Sequence, residues 1–310
     1  MAQGTIVVTG ASGFVGSALV RRLQELGRPV LAVSRRAGAP LTGVRASTLA
    51  SYEDAAALDA ACDGAAGVVH LAALAHRSGS PQEFAGSVRA GQALAHAAVR
   101  ARVPRFVLVS SVGVLGNHTD SGPFTEASPA RPVEPYALSK LRTEDAVAAA
   151  TAGTATGLVI VRPPLVYGPQ APGNFGRLVE LVRRGLPLPV ARVRNARTFI
   201  GIDNLLDLLV LCLDHPAASG ELFLAGDAED LSTPQLARCI GEGLGRPAWL
   251  PGIAPPLLLA AATLLGRRRL AESLCASLQV DASKARRVLG WTPAIPAEEG
   301  VRRAARAWTA

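Results

Sequence analysis

Short apolar runs alternate with longer stretches in which apolar residues return every three or four positions, and this holds through the first half of the chain. TIVVTG (5–10), PVLAVS (29–34), GVVHLAA (67–73) and RFVLVSS (105–111) read as strands. SALVRRLQELG (17–27), EDAAALDAACDG (53–64), VRAGQALAHAAVRA (88–101) and YALSKLRTEDAVAAA (136–150) read as helices between and after them. Strands that are apolar on both faces, separated by helices, belong to a parallel sheet covered on both sides. GLVIVRPPLVYG (157–168) reads as a further strand broken by Pro163 and Pro164, which cannot donate to a ladder. The expected class is α/β, with a Rossmann-type doubly wound parallel sheet.

Beyond 168 the alternation loosens. FGRLVELVRRG (175–185) and TPQLARCIGEGLG (233–245) read as helices, 197–215 as a strand entering a helix, ELFLAG (221–226) as a strand and ASKARRVLGW (282–291) as a short helix. Residues 1–165, completed by parts of 195–226, therefore form the expected dinucleotide-binding domain. The segments 166–194 and 227–310 form a smaller, mostly helical substrate domain. IAPPLLLAAATLLG (253–266) is the most apolar stretch, shorter than the ~20 residues of a spanning helix, and three arginines follow it. It reads as a buried or half-buried helix, with a surface helix on a membrane or partner as the alternative.

Hydrophobic residues make up 49% and charged residues 18%, which excludes a disordered chain. The four cysteines (Cys62, Cys212, Cys239, Cys275) form no CxxC pair, which excludes a cysteine zinc site and suits a reducing compartment. The opening MAQGTIVVTG has no basic stretch before its apolar run, so a cytoplasmic location without an export signal is expected. The formal charge is +8, which favours anionic ligands. No zinc-finger spacing or RNA-binding aromatic pattern accompanies that charge, so nucleic acid is not the expected partner.

The first strand runs directly into TGASGFVG, with Gly10, Gly13 and Gly16 between strand and helix. That spacing permits a tight turn, approach of a diphosphate to the backbone and close packing of the helix, whose first amides face the phosphates. NAD sites usually add a carboxylate at the end of the second strand, for the adenosine ribose. Here the strand ends Val33-Ser34-Arg35-Arg36, with two guanidinium groups and no acid. The site therefore reads as built for the 2′-phosphate of NADP(H). The alternative is NAD(H) held by other contacts, with both arginines solvated.

A second group comprises Ser110-Ser111 at a strand end, with Tyr136 and Lys140 four apart on one helix face. An ammonium near a phenol lowers its pKa, which suits acid–base chemistry on a carbinol or ketone beside a nicotinamide. Lys140 is one of only two lysines in an arginine-rich chain.

TGASGFVG, HLAA (70–73), VSS (109–111), YALSK (136–140), RPPLVYGP (162–169) and DASKARRVLGW (281–291) together resemble the extended short-chain dehydrogenases, the NAD-dependent epimerase/dehydratase family. The resemblance spans essentially the whole chain. It implies that Ser111, Tyr136 and Lys140 are catalytic. It assigns cofactor contacts to Gly10, Ser12, Gly13, Phe14, Val15, Gly16, Ser34, Arg35, Arg36, Leu71, Ala72, Ala73 and Pro163, with Tyr136 and Lys140. It assigns substrate contacts to Ser111, Asn174 and Arg197, the last two at a nucleotide-sugar diphosphate. It also implies a UDP-linked substrate and a homodimer. An Arg-x-Gly-Asp stretch found in UDP-glucose epimerases is missing ahead of DASK, so contacts there must differ.

Within the resemblance several chemistries compete. Ser111-Val112-Gly113 lacks the acid and base a dehydratase carries beside its serine or threonine. Ser34, Arg35 and Arg36 tip the expectation toward an NADPH-dependent 4-ketoreductase of a UDP-4-keto-6-deoxy-N-acetylhexosamine. The alternatives are a UDP-glucose or UDP-N-acetylglucosamine 4-epimerase with bound NAD, or a reductase of a steroid, flavonoid-like or lipid ketone. A catalytically silent dinucleotide-binding scaffold or redox sensor should have lost Tyr136 or Lys140.

Overall fold

The computed structural model describes residues 4–34, 43–49, 51–52, 54–72, 80–264, 266 and 268–308. Its strands are β1 (Thr5–Thr9), β2 (Val30–Ser34), β3 (Arg45–Thr48), β4 (Ala65–His70), β5 (Arg105–Val109), β6 (Gly157–Arg162), β7 (Leu165–Tyr167), β8 (Phe199–Gly201) and β9 (Leu222–Leu224). Its helices are α1 (Phe14–Glu25), α2 (Ala55–Cys62), α3 (Pro81–Arg100), α4 (Pro135–Thr151), α5 (Asn174–Arg183), α6 (Ile202–Asp214), α7 (Thr233–Gly243), α8 (Pro255–Leu264), α9 (Arg268–Cys275), α10 (Ser283–Leu289) and α11 (Ala297–Arg306).

Seven strands form one sheet in the order β3-β2-β1-β4-β5-β6-β9, and every pairing in it is parallel. Alternate side chains on each strand serve opposite cores. Ile6, Val8, Val107, Val109, Val159 and Val161 pack with α1, α6 and α10. Val7, Phe106 and Leu108 pack with α2, α3 and α4. This is a Rossmann-type doubly wound sheet, and it explains the unbroken apolar runs, since both faces of each strand leave water. The order reverses between β1 and β4, and a crevice opens beyond strand C-termini at such a reversal.

The prolines at 163 and 164 divide one apolar run between two sheets. β6 stays in the large sheet, while β7 leaves it to pair with β8. β7, β8, α5, α7 and α11 enclose a separate core around Tyr167, Phe175, Val179, Ile240 and Val301. The smaller C-terminal part is mostly helical.

Several elements depart from the sequence reading. β3 was not foreseen, because RAST lies at the sheet edge with three of its four residues exposed and carries no apolar pattern. α3 starts at Pro81 and not at 88, because Ser80 and Glu83 cap each other reciprocally and Pro81 occupies the first turn. α9 and α11 were not foreseen either. α11 buries Ala297, Val301, Ala304 and Ala305, too small an apolar face to stand out among its charges. Of the two readings of the apolar stretch at 253–266, the half-buried helix holds: α8 has no buried residue, and Leu258 packs partly buried on the C-terminal core. Among the described residues no helix is long and apolar enough to cross a membrane.

Candidate active site

Gly10 follows β1 with φ +70°, and a Cβ there would lie 2.8 Å from the Ala72 amide nitrogen at the end of β4. Only glycine permits both the turn and that approach. A Cβ at Gly16 would collide with the Gly10 carbonyl oxygen, so α1 packs directly on the turn. Gly13 differs from both, being exposed, with only the Gly10 carbonyl near a Cβ placed there. Its open side lets a diphosphate reach the backbone. No side chain caps α1 and no acid occupies its first turn, so its leading amides are open to an anion. These features fit a dinucleotide diphosphate at the sheet's switch point.

Ser12 is exposed at this turn, and Leu71 and Ala72 are half-buried past β4. Ser34 ends β2. Phe14 and Val15 pack on the α1 side of the sheet, and Phe14 also reaches the C-terminal core. Arg35, Arg36 and Ala73 lie outside the described residues.

The second group gathers past β5 and β6. The backbone leaving β5 is hooked to β6, since the Ser110 amide donates to the Val161 carbonyl and the Val112 amide to that of Pro163. Ser111 begins a single helical turn, and its hydroxyl accepts from the Gly113 amide at 3.1 Å. Tyr136 and Lys140 lie one turn apart on α4, with Tyr136 half-buried and Lys140 buried. Lys140 Nζ donates to the Val109 carbonyl at 2.8 Å, which ties α4 to the end of β5.

The lowered phenol pKa expected from the Tyr136–Lys140 spacing is not what this arrangement gives. Desolvation dominates both groups. It pushes the Tyr136 phenol up to about 12 and the Lys140 ammonium down to about 8, the latter opposed by the Glu144 carboxylate. Glu144, one turn beyond Lys140, meets Arg162 at the end of β6 through two hydrogen bonds of 3.0 and 2.6 Å, and both side chains are buried. His70 ends β4 fully buried, with Thr9 Oγ1 2.8 Å from its Nδ1. Burial, and next the Lys140 charge, holds the imidazole down to about 3. His70, Glu144 and Arg162 were not singled out from the sequence. The available signals were a histidine inside HLAA and a carboxylate four residues after Lys140.

The two substrate positions lie elsewhere. Asn174 opens α5 and is exposed. Arg197 is half-buried, its backbone bridged to Leu231 and Leu278, and its Nη1 donates at 2.9 Å to the carbonyls of Ser273 and Ala276. Desolvation lowers its pKa. Pro163 is buried, so its contribution is the carbonyl that holds Val112.

A parallel sheet reversing at a glycine turn, next to a serine, tyrosine and lysine, defines a dinucleotide-dependent oxidoreductase of the Rossmann class. The model of the NAD dependent epimerase/dehydratase family matches residues 6–226. The chain belongs to that family and is an NAD(P)-dependent enzyme. It is 32% identical to a UDP-glucose 4-epimerase of Vibrio cholerae, over 98% of this chain and 95% of that one. MoeE5, solved in complex with UDP-glucuronic acid and NAD, is 28% identical with a TM-score of 0.78, covering 99% of both chains. A UDP-glucose 4-epimerase of Thermotoga maritima shares the fold at TM-score 0.79 and 22% identity, covering 98% of both.

These relatives correct two expectations. The NADPH-dependent 4-ketoreductase gives way to the epimerase alternative, because a relative 32% identical over almost the whole of both chains is an epimerase. The NADP(H) preference gives way as well, because MoeE5, 28% identical to this chain, is solved with NAD. The inference from Arg35 and Arg36 failed for a physical reason. A guanidinium beside an adenosine can stack on the base as readily as it pairs with a phosphate, so charge at that strand end does not by itself specify a 2′-phosphate.

Proposed function

We propose that this chain is an NAD-dependent 4-epimerase of a UDP-linked hexose. The observation that carries the reading is the joint placement of Ser111, Tyr136 and Lys140 beyond β5 and β6, one strand from the glycine turn, in a chain so similar to a UDP-glucose 4-epimerase. NAD, when bound, supplies the acceptor and then the donor of one hydride, so the reaction has no net redox change. Gly10, Gly13 and Gly16 with the first amides of α1 hold its diphosphate, and Ser34, Leu71 and Ala72 border it.

Each side chain then has one task. Tyr136 takes the proton of the sugar C4 hydroxyl as the carbinol is oxidised and returns it as the ketone is reduced. Lys140, anchored through one N–H on Val109, keeps two further donors and a positive charge on the tyrosine side of α4. The Ser111 oxygen accepts from Gly113, which leaves its O–H to donate to the C4 oxygen. Arg197, with Nη1 engaged by Ser273 and Ala276, offers its remaining N–H groups to the substrate diphosphate, and Asn174 approaches it from α5. The homodimer and cytoplasmic location implied by the family belong to this same proposal.

Purified protein is given UDP-glucose with no added cofactor and followed by proton NMR. UDP-galactose signals should grow to a fixed ratio while absorbance of reduced nicotinamide stays flat. Stoichiometric consumption of NADH or NADPH, or no exchange with any UDP-hexose after NAD is added, would refute the assignment.

A further inference from the structure

α8 has no part in that chemistry, and its surface is unusual for a helix of this chain. Leu258 faces inward onto the C-terminal core. The opposite side carries Leu257, Ala260, Ala261 and Leu264, spaced i, i+3, i+4 and i+7 and all exposed, with Leu257 at 66% and Leu264 at 88%. Ile253, one turn earlier, and Trp249, 60% exposed, extend the stripe toward the preceding loop. Large apolar side chains left in water at helical spacing mark a surface that meets something else.

The stretch of sequence that carries this stripe holds charges of one sign. From Gly243 to Ala271 the sequence contains no acid, and its only charged residues are Arg246, Arg267, Arg268 and Arg269. Arg192 lies against Gly252 from the neighbouring loop. Glu272, at the far edge, pairs with Arg268. A second copy docked about a two-fold axis would set a stretch with no acid of its own against its like-charged equivalent. An anionic phospholipid surface satisfies both features. Apolar side chains and the indole enter the boundary of the acyl chains, and guanidinium groups meet lipid phosphates.

We propose that α8, with Trp249, Ile253, Arg192 and Arg268, is a docking surface for an anionic phospholipid bilayer, lying in the plane of the interface and not crossing it. α9 follows at once, and the carbonyls of Ser273 and Ala276 that hold Arg197 lie at its C-terminal end. The docking face and the candidate substrate site therefore share a wall.

The test is flotation of the full chain with vesicles of phosphatidylcholine alone, or of equal parts phosphatidylcholine and phosphatidylglycerol. Binding to the mixed vesicles should exceed binding to the neutral ones by on the order of ten-fold and should weaken as salt rises. The double variant Leu257→Glu/Leu264→Glu, altered only at exposed positions, should lose that binding while keeping the parent's melting temperature and its turnover of soluble substrate. Absence of flotation, equal binding to both vesicle types, or an undiminished double variant would each overturn the proposal. So would a slower-sedimenting double variant in lipid-free solution, since a second copy would then be what covers the stripe.

Discussion

At Tyr136 desolvation pushes the phenol up to about 12. On the proposed reading the tyrosine must therefore first give up its own proton, with the Lys140 ammonium stabilising the phenolate, before it can take that of the C4 hydroxyl. On the proposed reaction Tyr136→Phe removes the proton carrier and little else, so kcat for UDP-sugar exchange should fall by ~10²–10⁴ with a smaller change in KM, measured by NMR turnover. Lys140 titrates near 8, so its charge is present below that pH and lost above it. kcat/KM should therefore decline as pH rises through about 8. Lys140→Arg keeps the charge, and whatever activity it retains should lack that decline. His70 gives the opposite pH signature, in stability. Its folded pKa of about 3 lies below the 6.5 of an unfolded histidine, so the unfolded chain binds the extra proton between those values. Stability is unaffected by His70 above 6.5 and falls as pH drops from there toward 3. His70→Gln should flatten that part of the melting-temperature curve, although loss of the Thr9 contact lowers the curve as a whole.

Among the elements, α4 matters most for the site, because it carries Tyr136, Lys140 and Glu144 on successive turns and meets two strand ends. The Glu144–Arg162 pair joins α4 to β6 out of water. Removing one partner strands the other charge, so Glu144→Ala should destabilise the protein by roughly 3–5 kcal/mol in urea unfolding. Replacing both by methionine should cost far less. Glu144 also supports the lysine ammonium, so in Glu144→Gln the decline in kcat/KM should begin below pH 8. A structural ion pair alone would move stability and leave that profile in place.

Across the whole molecule, a buried polar cluster joins two of the cores, the one between the sheet and α6 and the C-terminal one. Asp227, past β9, accepts from Tyr167 of β7 at 2.6 Å, Asn204 of α6 at 2.7 Å and the Gly201 amide of β8 at 3.2 Å. The Tyr167 hydroxyl also reaches the Ala297 carbonyl at the start of α11, and Asn204 spans to the Ile295 backbone. Asp227→Ala leaves the tyrosine and asparagine donors buried without this partner, at ~1–3 kcal/mol each. Its melting temperature should fall sharply, with both cores still unfolding in one transition by circular dichroism and tryptophan fluorescence. Two separated transitions would show that the cluster, and not the shared sheet, couples the halves.

The apolar runs and the glycine spacing were enough to place the sheet and the turn after β1. β1, β2, β4, β5 and β6 are read directly because strands buried on both faces need continuous apolar runs. Gly10 and Gly16 are read because a tight turn and a helix packed on it exclude side chains. The grouping of Ser111, Tyr136 and Lys140 could be read only in part, because helical spacing links the last two while the serine arrives from another strand. Tertiary structure alone decided the rest. The Glu144–Arg162 pair, the Asp227 cluster and the burial of His70 arise from residues 18 to 61 or more positions apart, and no local pattern encodes which of them meet. Tertiary structure also decided that α8 lies on the outside, since apolar periodicity cannot say whether a helix faces a core or water. The direction of the Tyr136 shift was settled the same way. Spacing brings a cation near the phenol, but only the packed fold shows how much water both have lost.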